Sequence, residues 1–145
     1  MKFIFKKLSI ASDHAGFKLK EKIKNYLFKK KIKVIDLGPK NSNSVDYPDY
    51  AKKVARSVIT KKSNVGILVC GSGTGMAISA NKFKKIRAAV CYNSASTRLS
   101  RMHNNANILA IGSRLINKHN AIKLVNLFLS TKFEGGRHLR RVKKI

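Results

Sequence analysis

The sequence predicts an α/β protein of Rossmann-like, three-layer architecture, with a parallel sheet of about five strands between two layers of helices. Three observations carry that expectation. Five short apolar runs, at residues 8–12, 33–37, 65–70, 86–91 and 107–112, alternate with segments whose apolar residues recur at the helical period. The run at 86–91 is continuous rather than alternating, as in a parallel strand covered on both faces. Polar and glycine residues collect where the runs end, which is where ligands sit in parallel sheets.

The first strand, 8–12, leads through Asp13-His14-Ala15-Gly16 into a helix. There Leu19, Ile23, Tyr26 and Leu27 share one face while Lys18, Lys20, Lys22 and Lys24 take the others. The second strand, 33–37, closes on Gly38-Pro39, and the polar residues 40–45 form a loop. Asp46 stands where an N-cap belongs, Tyr47 and Pro48 open the next helix, and Asp49 favours its positive end. Tyr47, Tyr50, Ala51, Val54, Ala55, Val58 and Ile59 then hold one apolar stripe as far as Thr60.

The third strand stops at Cys70 and turns through Gly71-Ser72-Gly73-Thr74-Gly75 into a helix reaching Asn81. The fourth run is followed by a short helix at 94–102 that ends in His103-Asn104-Asn105. The fifth strand carries Ser113 and Arg114 at its carboxyl end, and Ala121, Leu124, Val125, Phe128 and Leu129 mark a fifth helix. Beyond Glu134-Gly135-Gly136 lies a basic segment with Arg137, His138, Arg140 and Arg141. A helical return between successive runs makes the sheet parallel and sets strands 2, 1 and 3 side by side, so the turns after strands 1 and 3 face each other.

A chain of 145 residues forms one core, so residues 1–145 read as a single domain without repeat or linker. No apolar run has the length of a membrane span, and the basic, apolar start is interrupted at Ser12-Asp13-His14, unlike a secretory leader. The expectation is a cytoplasmic protein with no membrane partner, in which Cys70 and Cys91 are free thiols. The net charge of +26 by itself suggests a nucleic-acid-binding module. Its lysines are instead scattered in pairs at the ends and outer faces of elements, and the aromatics fall at core positions where they cannot stack on bases. The charge therefore reads as a solvated surface, with no specific nucleic-acid partner.

The turn after the third strand is the chemically distinctive stretch. A strand-to-helix turn of alternating glycines leaves several N–H groups pointing at one spot, at the positive end of a helix, which suits an anion. A cysteine at a strand end is otherwise a small buried hydrophobe; the cradle beside Cys70 makes it a candidate reactive thiol. Cys91 lacks such neighbours and reads as core. The spacing is G-x-G-x-G, with no following Gly-Lys-Ser/Thr and no acidic residue ending the next strand, so neither a dinucleotide nor a nucleoside triphosphate is expected. By position alone His14 reads as a capping or core histidine, His103 as a solvated helix-end histidine, and His119 as surface. Arg137 and Arg141 are spaced i, i+4, which on a helix puts two guanidinium forks on one face, a good phosphate clamp.

Six motifs in order along the chain carry a resemblance: Ser12-Asp13-His14-Ala15-Gly16; Asp46-Tyr47-Pro48; Cys70-Gly71-Ser72-Gly73-Thr74-Gly75 with Ala80-Asn81-Lys82; Arg101-Met102-His103-Asn104; Gly112-Ser113-Arg114; and Glu134-Gly135-Gly136-Arg137-His138. Together they resemble the ribose-5-phosphate isomerase B family, which also contains galactose-6-phosphate and allose-6-phosphate isomerases. The resemblance implies an aldose–ketose isomerase of the non-oxidative pentose phosphate pathway, acting through an enediolate without metal or other cofactor. It implies Cys70 as the base between C2 and C1, with Ser72 and the N–H groups of Gly71, Gly73, Thr74 and Gly75 on the enediolate oxygens. It further implies His103 as the ring-opening residue, Asp13 on a ring hydroxyl, Asn104 in substrate positioning, and His14, Arg137 and Arg141, helped by Arg114, on the phosphate. In that family the site is completed across a homodimer, with the segment 134–145 taking part. Three alternatives stand beside a ribose 5-phosphate isomerase: a hexose-6-phosphate isomerase, a sugar-phosphate sensor without turnover, and the nucleic-acid-binding module.

Overall fold

In the computed structural model, which describes residues 1–145, the expected alternation is realised with one addition, a short terminal helix. The strands are β1 (Lys7–Ser12), β2 (Lys33–Asp36), β3 (Val65–Cys70), β4 (Ala88–Val90) and β5 (Ile108–Gly112). The helices are α1 (Phe17–Lys29), α2 (Tyr47–Ile59), α3 (Thr74–Ala80), α4 (Ser94–Met102), α5 (Lys118–Ser130) and α6 (Arg137–Val142). The sheet order is β2-β1-β3-β5-β4 with every pairing parallel, and β1 lies between β2 and β3 as predicted.

Strand periodicity divides the core. Ile67 and Val69 face Leu19, Ile23 and Leu27 of α1 and Leu124, Val125 and Phe128 of α5. Leu68 and Cys70 face the other way, toward Val54 and Ala55 of α2 and Met76 and Ala77 of α3. The side to which the Cys70 thiol points is therefore fixed by the register of a strand whose six residues are all buried.

Four expectations are corrected. The fourth strand is a three-residue edge strand, half-buried throughout, rather than one covered on both faces. The Asn81 side chain takes the place of a neighbouring strand there, accepting from the Ala88 N–H at 2.7 Å and donating to its carbonyl at 2.9 Å. Asp46 occupies the cap position of α2, but its backbone carbonyl rather than its carboxylate accepts there, from the Asp49 N–H at 3.2 Å. The stripe of α2 is shifted: Tyr47 and Ile59 are exposed, while Ser57 is buried in a hydroxyl chain, Ser57–Ser63–Ser9, with both contacts at 3.0 Å.

Lys20, expected on a solvated face, has no exposed surface. Its ammonium donates to Asp36 Oδ1 at 2.9 Å and to the Pro39 carbonyl at 2.7 Å. Asp36 also accepts from Lys24 at 2.7 Å and from the Gly38 N–H at 2.9 Å. This knot ties α1 to the turn after β2, and the Gly38 carbonyl in turn receives the Ser12 N–H at the end of β1. Partial burial works against the charged carboxylate of Asp36, but the hydrogen bonds from Lys20, Lys24 and Gly38 hold it below its ordinary value of 3.8.

Asp36→Asn should therefore destabilise the fold by about 1–3 kcal/mol in urea unfolding at neutral pH, since it leaves a buried ammonium short of its counter-charge. The lowered carboxylate contributes stability above the ordinary value of 3.8 that is lost as pH falls through the folded value, so the gap between wild type and variant should close there.

Candidate active site

The turn after β3 is held by close backbone approach from below. Gly73 sits in the left-handed region at φ 80°, and a Cβ there would lie 3.0 Å from the Ile111 carbonyl carbon. A Cβ on Gly112, at the end of β5, would lie 2.7 Å from the Ser72 carbonyl. Only glycine at both places lets β5 run directly beneath the turn. Above it, the Tyr47 ring and the Arg114 guanidinium lie where side chains on Gly75 and Gly71 would meet them, at 2.8 and 2.9 Å.

The Gly73 N–H donates to Cys70 Sγ at 3.1 Å, fixing the sulfur at the rim of the turn. The Thr74 N–H is taken by Ser72 Oγ at 3.3 Å, whereas the N–H groups of Gly71, Ser72, Gly75 and Met76 have no acceptor in the chain. Asp13 is buried, with Oδ1 accepting the Gly16 N–H at 2.9 Å. Asp13, Tyr47, Cys70, Gly71, Ser72, Gly75, Arg114 and Leu115 line an open cleft of about 460 Å³. A sulfur, a carboxylate, a hydroxyl, unpaired N–H donors and a guanidinium thus converge on one small space.

Of the residues singled out from sequence, Asp13, Cys70, Gly71, Ser72, Gly75 and Arg114 line this cleft. Gly73 lies beneath it, Thr74 is exposed, and His14 is exposed against the loop before α2, with Nδ1 accepting the Val45 N–H at 3.3 Å. Asn93 and Ser113, two polar strand-end residues, serve the fold: Asn93 caps α4 through the Ser96 N–H at 2.8 Å, and Ser113 donates to the Ala15 carbonyl at 2.9 Å. Tyr47 was read as core and is instead a wall of the cleft.

His103, Asn104, Arg137 and Arg141 are not in this cleft. Helix α4 starts beyond the carboxyl end of β4 and runs back, so His103 and Asn104 lie where β5 begins, at the opposite end of the sheet. Arg101 pins that corner. Its guanidinium donates to the Thr131 carbonyl at 3.2 Å, to Asn105 Oδ1 at 3.0 Å and to the Ala106 carbonyl, over the rings of Phe5 and Phe128. Burial, with Arg87 nearby, lowers it to about 10, so it stays charged at neutral pH.

Here the sequence reading missed a partner. The His103 and His138 rings are stacked, centroids 4.1 Å apart and planes 11° apart. Glu134 Oε2 lies 3.4 Å from His138 Nε2 and 3.9 Å from His103 Nε2. Positive φ at Gly135 and Gly136 lets the chain turn so that Glu134 and His138 meet, and α6 carries Arg137 and Arg141 on its exposed side. Burial lowers the His138 imidazole below its usual value, with His103 and Arg137 acting the same way and Glu134 opposing. The i, i+4 spacing of Glu134 and His138 was the only sequence signal for this pair.

The fold and cleft define a Rossmann-like α/β protein with a thiol beside an oxyanion cradle. A family model described as Ribose/Galactose Isomerase matches residues 8–145. Ribose-5-phosphate isomerase B of Escherichia coli is 45% identical over 140 residues, covering 97% of this chain and 94% of that protein. The crystal structure of a ribose 5-phosphate isomerase from Thermotoga maritima is 55% identical, with a TM-score of 0.94 and 95% of each chain covered. That of ribose-5-phosphate isomerase B from Mycoplasma genitalium with bound ribulose-5-phosphate is 43% identical, with a TM-score of 0.90 over 94% of this chain and 91% of that one. The chain belongs to the ribose/galactose isomerase family.

The two thiols differ enough to be told apart chemically. Both are buried, Cys91 at 1% and Cys70 at 4% exposed, but Cys70 lines the open cleft whereas Cys91 does not, and burial raises the Cys91 thiol above its usual value. Iodoacetamide on the native protein should modify Cys70 at least roughly tenfold faster than Cys91, as read by peptide mass spectrometry, and the difference should vanish in denaturant.

Proposed function

We propose that this protein interconverts ribose 5-phosphate and ribulose 5-phosphate by proton transfer through an enediolate. The observation that carries the reading is the Cys70 sulfur, held by the Gly73 N–H at 3.1 Å beside unpaired N–H donors and the Arg114 guanidinium. A base next to fixed donors suits a reaction whose difficulty is the negative charge that develops on two substrate oxygens. Similarity to named ribose-5-phosphate isomerases supplies the substrate class.

In this reading Cys70 takes the proton from C2 of the open-chain sugar and returns it to C1. The Ser72 hydroxyl and the unpaired N–H groups of Gly71, Ser72 and Gly75 hold the enediolate oxygens, while those of Gly73 and Thr74 are engaged by Cys70 and Ser72, and Asp13 holds a hydroxyl. His103 opens the furanose ring by proton transfer, Asn104 positions the substrate, and His14, Arg137 and Arg141, with Arg114, bind the phosphate. No metal or other cofactor takes part. The separation of Cys70 from His103 within one chain favours a homodimer, in which the His103 corner and α6 of one copy close the cleft of the other. Residues 134–145 then complete a neighbour's site. A cytoplasmic location and a place in the non-oxidative pentose phosphate pathway complete the proposal, both resting on the family. Membership over residues 8–145 leaves the nucleic-acid-binding module without support.

The test is turnover of ribose 5-phosphate by the purified protein, beside allose 6-phosphate and galactose 6-phosphate. Ketopentose formation is expected. Turnover of a hexose phosphate alone would transfer the assignment to that sugar, and a folded protein inactive on all three would refute the enzyme reading. Cys70→Ala should lower kcat by at least roughly a thousandfold while ribulose 5-phosphate still binds. Arg137→Ala should raise KM for phosphorylated sugars by roughly ten- to a hundredfold, the loss of one charged phosphate partner.

A further inference from the structure

The amino end of the sheet carries a second cleft that no role assigned so far uses. It has a volume of about 560 Å³ and opens between the end of α2, the approach to β4 and the end of α4. Lys61, Lys85, Arg87 and Arg101 line it, and no carboxylate does. The two lysines are exposed, and Lys61 follows the carboxyl end of α2, where a cation offsets the helix dipole, so neither calls for a ligand. The arginines are a different case.

Arg101 is 3% exposed, and its Nε and Nη1 are engaged by the Thr131 carbonyl, Asn105 Oδ1 and the Ala106 carbonyl, which leaves Nη2 without a partner. Ser12 Oγ is the one side-chain polar atom of the chain that is both sealed from solvent and unpartnered, so Nη2 must reach the cleft that Arg101 lines. Arg87 is half-buried and held in the same manner. Its Nε is shared by the Asn104 and Asn105 carbonyls at 3.1 and 3.0 Å, its backbone N–H donates to Asn107 Oδ1 at 2.8 Å, and neither Nη has a partner.

Two guanidinium groups are thus tied to the backbone on one side and left with free donors on the other. Neither takes part in any ion pair of the chain. They are close enough that the charge of Arg87 adds to the effect of burial in lowering Arg101. Cations that are fixed, partly desolvated and mutually repelling are unfavourable alone and are relieved by a dianion between them, and the guanidinium fork matches a phosphoryl group in shape as well as charge. Phe5, Val58 and Val65 give the cleft an apolar wall as well, and its volume falls in the range of small-molecule sites.

We propose that this cleft binds a small phosphate monoester, its phosphoryl group between the Arg87 and Arg101 guanidinium groups and its apolar body against Phe5, Val58 and Val65. No residue assigned to the isomerase reaction lines the cleft, so the site stands or falls independently of that reading.

The arginine Nε–Hε signals of the wild-type protein, followed by NMR during titration with inorganic phosphate and with phenyl phosphate in about 150 mM chloride, test the site residue by residue. The Arg87 and Arg101 signals should shift and saturate, with phenyl phosphate half-saturating at a concentration at least roughly tenfold lower than phosphate, since only the ester reaches the apolar wall. Arg87→Gln should bind phenyl phosphate at this site at least roughly tenfold more weakly, read from the Arg101 signal. If that variant does not fold, Lys85→Gln, at an exposed side chain, should still weaken binding by roughly two- to threefold. Shifts confined to Arg114, Arg137 and Arg141, or shifts at Arg87 and Arg101 that added chloride reproduces without saturation, would overturn the site. Equal affinity for the two probes would overturn the monoester in favour of free phosphate.

Discussion

In a parallel sheet every strand must be re-entered from its amino end, and this constraint of direction governs where the functional groups of the chain lie. Strands β1, β3 and β5 deliver Asp13, Cys70 and Arg114 to one end of the sheet because those residues end their strands or lie within two residues of the end. Helix α4 must travel back before β5 can begin, and it carries His103 with it to the other end. A five-residue strand spans roughly 15 Å, much more than a sugar phosphate can bridge together with its catalytic groups. The proposed two-chain site is a response to this geometry: on that proposal Cys70 and His103, which the fold of one copy separates, meet across two copies.

Packing at the two ends differs in kind. At the Cys70 end the constraint is steric, with β5 passing so close under the turn that Gly73 and Gly112 admit no side chain. The donors above that turn are backbone groups, fixed by the fold and needing no reorganisation as charge develops. At the His103 end the constraint is polar. Arg101, 3% exposed and without a carboxylate partner, ties two chain segments to α4 through hydrogen bonds to Asn105 and Ala106 and to Thr131.

Much of the fold was legible in sequence because parallel strands and amphipathic helices have different periods, and the alternation of the two leaves few topologies. The Cys70 turn was legible because glycine at such spacing has few other uses. Part of what escaped had one physical cause: a residue doing the opposite of its type's usual work. Lys20 and Arg101 look like solvated charge among the 32 lysines and arginines of the chain, yet both are buried. Tyr47 fits the apolar stripe of α2 but lies outside it over Gly75. The edge position of β4 depends on which strand it fails to pair with, which apolar content cannot report. The pairing of His103 with His138 spans the whole of α5, so no local pattern announces it.

The division of the catalytic groups between two copies is tested most directly by mixing two inactive variants. Cys70→Ala and His103→Ala, unfolded and refolded together, form mixed dimers in which one of the two sites keeps both intact residues. The two-chain site predicts recovery of roughly a quarter of wild-type activity, since half of the dimers are mixed and half of their sites are whole. A refolded mixture as inactive as either parent, with mixed dimers demonstrated by mass, would contradict it.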